Sequence, residues 1–204
     1  MPTEGRLTRS FYRRPTLLVA RELLGLRLVR LDRGRRLSGW IVEAEAYIGQ
    51  DDLACHARAG RTERNRVMWG DAGHAYVYFT YGMHWCLNVV TEPAGRPAAV
   101  LLRALAPSEG LATMRRRRGR GRPVADGPAK LCQALDIDRR FNGRDLCAAG
   151  ARLFIEHAPP VPAHAVRRGP RLGLDNVPEP WKSKPWRLRL APEHVPQPPE
   201  EEQV

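Results

Sequence analysis

One octapeptide, Trp40-Ile41-Val42-Glu43-Ala44-Glu45-Ala46-Tyr47, places two carboxylates two residues apart inside an apolar run. No other stretch constrains the fold as strongly. Successive side chains of a β-strand point to opposite faces. Read as a strand, the segment puts Trp40, Val42, Ala44 and Ala46 on one face and Ile41, Glu43, Glu45 and Tyr47 on the other. Two acids beside an aromatic ring on a half-buried face are unfavourable unless they are hydrogen-bonded or used in chemistry. Burial and a neighbouring like charge both raise a carboxyl pKa, which suits general-base work near neutral pH. The plainer alternative is an edge strand whose acids pair with arginines.

Arginines are plentiful. Lys+Arg number 34 against 22 Asp+Glu, a formal charge of +12. Such an excess points to a polyanionic partner, nucleic acid before an anionic membrane surface. All the basic residues except Lys130, Lys182 and Lys184 are arginine. Guanidinium forks match phosphate geometry, but a GC-rich genome gives the same bias, so only the charge is read. At 204 residues the chain is long enough for one sizeable core or two small ones, and 43% hydrophobic residues fit a folded protein. No apolar run approaches a membrane span, and Met1 to Arg14 has no apolar leader stretch. Cys55, Cys86, Cys132 and Cys147 form no CxxC pair. A reduced cytoplasmic compartment is expected, on the nucleoid if the source is bacterial.

Along the chain, residues 1–10 are polar and expected to be flexible, followed by a domain over 11–191 and a Pro/Glu-rich disordered tail over 192–204. Pro15 opens a helix with Leu17, Ala20 and Leu24 as its stripe, closed by Gly25. Strands are expected at 26–31, 40–47, 74–80, 85–91, 98–105, 152–156 and 186–190. Residues 32–39 read as a turn, and residues 49–73 as a long loop with Cys55, Val67, Met68 and Trp69 packed down. Tyr81-Gly82-Met83-His84 is a hairpin connection carrying large side chains, which at a turn tip usually meet something. A short helix is expected over 107–115, then a flexible basic segment over 115–122, then a helix from Gly127-Pro128 through Leu135. Cys55, His56, His74, His84 and Cys86 have no recognised zinc spacing, and no nucleophile or phosphate-loop signature stands out. Carboxylate chemistry with aromatic neighbours and a basic surround remains.

At that point the residues resemble a family, the alkyladenine (3-methyladenine) DNA glycosylases. The resemblance runs from Phe11-Tyr12 to about Arg189. It is carried by Ile41 to Tyr47, His56, Thr62 with Arg64-Asn65-Arg66, and Tyr76-Val77-Tyr78 with Tyr81-Gly82-Met83. Leu87-Asn88-Val89, Leu102-Arg103-Ala104, Gly127-Pro128 with Lys130-Leu131, and Arg171-Leu172-Gly173-Leu174 continue it in order. Ala106-Pro107 stands where the family usually has Glu-Pro, and Asp136 where a Gly is common. No catalytic position is substituted.

The resemblance implies a single α+β domain with a curved, largely antiparallel sheet, peripheral helices and a protruding β-hairpin. It implies a monofunctional enzyme that flips a damaged purine out of double-stranded DNA and hydrolyses its glycosidic bond, with no cofactor, metal or lyase step. Glu45 matches the general base, and Arg103 a cation beside it. Tyr47, His56 and Tyr78 match the walls around the flipped base, and Asn88 a position that crowds the guanine 2-amino group. Aromatic faces suit cationic alkylpurines. Tyr81 matches the intercalating wedge, with Met83 and His84 beside it. Arg61, Arg64, Arg66, Arg118 and Lys130 are the expected phosphate contacts. Glu43 is expected to support, Tyr76 to pack in the core, and Cys55 to be inert. A monomer is expected.

The rivals are a non-enzymatic binder of distorted DNA, which has no need for a buried acid, and a hydrolase of RNA or free nucleotides using the same acid. If duplex DNA is the partner, affinity should fall about 10³-fold or more between 50 and 200 mM salt. Electrophoretic or fluorescence titrations across that range measure it, and a flat response contradicts a phosphate-tracking surface.

Overall fold

The computed structural model describes residues 5–119 and 121–196. Strands β1 (Arg27–Asp32) and β2 (Arg35–Ile48) form a hairpin around Arg33-Gly34, with φ of 47° and 78°. That left-handed pair matches strand twist in a two-residue connection, so the second strand begins at Arg35, inside the expected turn. β3 (Ala75–Thr80), β4 (His84–Val90), β5 (Ala98–Glu109), β6 (Leu153–Glu156), β7 (Val166–Gly169) and β8 (Arg187–Leu190) complete the sheet. The order is β3-β4-β5-β2-β1-β6, with β8 pairing both β2 and β7, and every pair is antiparallel. β2 is the axis. Along one edge it pairs with β5 from Ser38 to Ile48, while β1 takes residues 35–40 and β8 residues 43–45 of the other.

Among the described residues four α-helices sit around the sheet: α1 (Arg9–Tyr12), α2 (Thr16–Leu23), α3 (Leu111–Arg118) and α4 (Pro128–Leu135). α2 buries Val19, Ala20 and Leu23 against β2 and β5. α4 buries Leu131, Cys132, Ala134 and Leu135 against β4 and β5. It ends at Asp136, whose φ of 54° is a left-handed value that Asp tolerates better than most side chains, so the fold keeps the turn there without a glycine. Residues 139–152 run like a strap from the β3 edge to the far side. Gly143 N–H donates to Ala75 O and Ala75 N–H to Arg144 O, both at 2.8 Å, and Leu31 N–H donates to Arg152 O at 2.8 Å. The strap closes the curl of the sheet.

Several expectations are corrected. Pro107 does not begin a helix; β5 continues through it to Glu109, Gly110 turns at φ 73°, and α3 follows. The segment Arg115–Arg118 is the last turn of α3, with Arg117 bound to Asp32 at 2.5 Å and to Ala134 O at 3.1 Å. Strand β7 lies in a stretch that reads only as basic. Residues 5–10 are not loose: Leu7 is buried, and Arg6 forms a bridge with Glu156. Pro192–His194 form a 3-10 turn; residues 1–4 and 197–204 lie outside the described residues.

The alternation of β2 also breaks. Ile41 pairs with Leu105, Glu43 with Ala104, and Ala44 with Leu102. Val42 is therefore an extra residue on β2, and Arg103 an extra residue on β5, two bulges facing one another. The first bulge shifts the phase of side chains. Ile41 joins Ala44 and Ala46 in the core instead of sharing the face of Glu43, Glu45 and Tyr47.

Further along the same pair, Gly39 lets the two backbones approach closely. A Cβ there would lie 2.9 Å from Ala106 O and 3.2 Å from Pro107 Cα. Gly39→Ala should cost about 1–3 kcal/mol by overpacking, read as a lower urea midpoint; an unchanged midpoint means the strands part freely there.

Candidate active site

Glu45 has no exposed surface. A buried carboxylate needs donors on both oxygens, and this one has three. Leu172 N–H donates to Oε1 at 2.8 Å, Tyr47 O–H to Oε2 at 2.9 Å, and Arg103 Nη1 to Oε2 at 3.2 Å. The bulge on β5 carries the Arg103 fork, whose Nε reaches Glu43 Oε1 at 3.0 Å. Arg187 of β8 also binds Glu43, at 3.3 Å. Burial raises the Glu45 pKa and outweighs Arg103, the Leu172 N–H and the Tyr47 hydroxyl, which pull it down. Burial, then the Glu45 charge, pushes the Tyr47 phenol well up, so it keeps its proton and donates.

A cavity of about 270 Å³ opens on the other side of this cluster. Tyr47, Arg103 and Leu172 line it, so the acid stands directly behind its wall. β3 and β4 supply the opposite side. Tyr76 pairs with Asn88 and Tyr78 with Cys86 across the ladder, and all four face the cavity. His56 opens a 3-10 turn, His56–Ala59, whose N-cap Cys55 accepts from Ala57 N–H through sulfur at 3.4 Å. The imidazole meets the Tyr78 ring edge-on at 4.5 Å, and its Nδ1 lies 2.9 Å from the Tyr76 hydroxyl. Buried Asn65 fixes the turn, donating to His56 O at 2.9 Å and Gly60 O at 2.8 Å and accepting from Thr62 N–H at 2.8 Å. Asn88 donates to Tyr76 O at 3.1 Å. Burial, with Arg64 and Arg58 adding to it, lowers the His56 pKa to about 4, so the ring is neutral at pH 7.

The hairpin tip stands at the cavity rim. Tyr81 (φ 51°) and Gly82 (φ 65°) make a tight turn, leaving Tyr81 80% and Met83 68% exposed. Phe79, also exposed, packs against Trp85 with ring centroids 4.8 Å apart. Leu172, 46% exposed, faces the tip across the mouth, where Gly173 lies near the Tyr81 hydroxyl.

The structure thus brings Glu45, Arg103, Tyr47, His56, Tyr78, Asn88 and Tyr81 to one place. Arg61, Arg64, Arg66, Arg118 and Lys130 lie outside the lining. Arg64 donates to Phe79 O at 3.0 Å and Arg66 sits 3.6 Å from Glu63. Arg118 binds Gln133 and Pro123 O, and Lys130 binds Asp126 at 2.9 Å. Arg61 is exposed, with no ion pair among the described residues. The cavity also uses residues the sequence did not single out for it. Tyr76 is buried as expected, yet its hydroxyl serves His56. Cys86 and Leu172 carry no chemical signature of their own. Burial pushes the Cys55 thiol up to about 12, in keeping with an unreactive packing role. Among the described residues no three His, Cys, Asp or Glu side chains gather as metal ligands, and no helix is long and apolar enough to cross a membrane.

The chain is similar to known proteins along most of its length. The family described as methylpurine-DNA glycosylase (MPG) matches residues 10–194. A protein of Myxococcus xanthus is 52% identical over 182 residues, covering 89% of this chain and 88% of its own. One of Methanocella arvoryzae is 50% identical over 185 residues, covering 89% and 90%. One of Streptomyces avermitilis is 46% identical over 187 residues, covering 89% and 88%. Each bears the name "Putative 3-methyladenine DNA glycosylase".

The neutral His56 has a measurable consequence. Between about pH 6.5 and about 4 the unfolded chain binds a proton at this residue that the folded chain refuses. Stability contributed here is present above the unfolded pKa and falls with pH across that window. Denaturant midpoints of His56→Gln should show a shallower loss than wild type between those values, and parallel curves contradict a depressed imidazole pKa.

Proposed function

The chain belongs to the methylpurine-DNA glycosylase family, and we propose that it excises alkylated and deaminated purines, among them 3-methyladenine, hypoxanthine and ethenoadenine, from double-stranded DNA. The single observation that carries this reading is the buried Glu45 carboxylate bonded by three residues that also line an aromatic cavity. The lesion nucleotide leaves the stack and enters the cavity, while Tyr81, with Met83 beside it, fills the gap from the minor groove. Tyr47 lies on one side of the base, and His56 and Tyr78 on the other. A cationic alkylpurine gains from those ring faces. The neutral imidazole adds no repulsive charge. Asn88 stands where a guanine 2-amino group would collide.

Glu45 orients and deprotonates a water at the cavity wall. The water oxygen bonds to C1′ of the deoxyribose as the C1′–N bond breaks. The electron pair leaves with the base, and the proton passes to Glu45. Burial makes the carboxylate a better base than an exposed one, while Arg103 keeps it ionised and in place. A 3-methyladenine cation departs as a neutral base, whereas hypoxanthine needs protonation or hydrogen bonds to leave. No lysine lines the cavity, so no Schiff base with the sugar is provided, and the product is an intact abasic site. Every step is assigned to side chains and water. The basic loop over 58–66, Arg118 and Lys130 hold flanking phosphates, and a single copy of the chain is sufficient.

Duplex oligonucleotides carrying one lesion each, incubated with protein and then cleaved with alkali, test the reading. Wild type should give strand breaks only after alkali. Glu45→Gln should keep lesion-DNA affinity and lose excision by at least about 10³-fold, the upper part of the range for general-base removal. Excision at the wild-type rate by that variant rejects the mechanism.

A further inference from the structure

Asp52 and Arg171 form an ion pair with neither side chain exposed. The fork is bidentate: Nη1 donates to Oδ2 at 2.5 Å and Nη2 to Oδ1 at 2.8 Å. Nη1 also reaches Ala46 O at 2.9 Å, and Nη2 reaches Trp181 O at 3.3 Å. Asp52 in turn accepts from Ile48 N–H at 3.2 Å and Ala54 N–H at 3.1 Å. The guanidinium stacks over the Tyr47 ring at 4.7 Å and over Trp186 at 5.0 Å. As a stability device alone such a pair is poorly accounted for, because well-packed apolar residues in its place are often neutral or better. What it does do is tie β2, the loop after it and the segment around residue 171 into one joint.

That joint sits against the acid. Leu172, the next residue, belongs to no strand or helix and is 46% exposed. Its N–H is nevertheless held 2.8 Å from Glu45 Oε1. Tyr47, whose ring Arg171 covers, is one of the two donors to Oε2. Two of the three donors on the carboxylate therefore depend on the same guanidinium. We infer that the Asp52–Arg171 pair is the positioning device of the catalytic acid, fixing the Leu172 N–H and the Tyr47 hydroxyl on Glu45. The inference rests on Glu45 being the general base.

Loss of the pair would loosen donors that favour the ionised acid, and the Glu45 pKa would rise. The other groups facing Glu45 stay in place: Arg103 from β5, Glu43 on its own strand with Arg187 behind it, Tyr78 from β3 and Cys86 from β4. None of them touches Asp52. Since the base must be ionised to act, the acidic limb of the rate profile would move to higher pH.

The test uses the full chain with Asp52→Asn and Arg171→Met together, which removes both buried charges and leaves an acceptor for one of the Ile48 and Ala54 N–H groups. Single-turnover excision from a lesion duplex is followed between pH 5 and 9, with DNA affinity and thermal melting in parallel. The expected result is a folded protein with near wild-type affinity, an acidic limb about one pH unit higher, and at least about tenfold slower excision at neutral pH that recovers as pH rises. A folded double variant with the wild-type limb and rate overturns the inference. If the double variant does not fold, Arg171→Lys keeps the charge and loses the fork. It should show the same upward shift, and an unshifted limb in it overturns the inference equally. Failure of the wild type to excise any lesion would instead remove the proposed function itself.

Discussion

The structure depends on satisfying one carboxylate that has lost all contact with solvent. Glu45 is bonded from three directions, and each donor comes from a different constraint. Tyr47 is on its own strand, two residues on. Arg103 arrives through the β5 bulge. Leu172 comes from 127 residues away, held by a buried ion pair. Burial and donors act against each other on the acid, and burial wins. A carboxylate in bulk water has no such tension. Here the pull toward protonation makes the group a stronger base, and the donors keep it ionised enough to act. At Glu45 the strand is flanked on both edges, by Leu101 of β5 and Arg187 of β8, and the side chain has no exposed surface.

The cavity follows from the pleat. Tyr76 and Tyr78 on β3, and Asn88 and Cys86 on β4, face one way because residues two apart share a face and cross-strand partners align. His56 comes from outside the sheet, and Asn65 fixes it by capturing the carbonyls and amide of its loop. The result is an aromatic space with few titrating groups at neutral pH: the phenols are pushed up and the imidazole down by the same burial.

Much of this was legible in the sequence. The acid pair in its apolar run, the aromatic strands and the large residues on a Gly-containing turn each mark themselves by local pattern. So did α2 and α4, through apolar spacing and the Pro at their start. What escaped depends on partners. Alternation counts one strand, whereas a bulge is a relation between two, so the face that strict alternation gives Ile41, shared with Glu43, Glu45 and Tyr47, changes at Val42. The extension of β5 past Pro107 follows from pairing with β2, which no residue of that stretch announces. Asp52 reads as one more acid in a polar loop until Arg171, 119 residues on, closes on it. The run from Arg115 looks like a solvated segment because its charges hide the helix that Arg117 anchors.

The two facing bulges carry a consequence of arithmetic. Val42 adds one residue to β2 and Arg103 adds one to β5, so the strands are back in step by Ala44 and Leu102. From Ala44 to Ile48, and from Gly39 to Ile41, the two strands keep one count; a separate shift lies at Ser38/Gly39, where Ser108 is extra on β5. The acid, its guanidinium partner and the core residue Ile41 are re-aimed within a frame whose two ends stay in register. Loss of either extra residue alone would put the flanking halves out of step, whereas loss of both would restore the count and erase the guanidinium. Positions 42 and 103 are therefore bound to each other by length, and sequence change at this centre is confined to substitution.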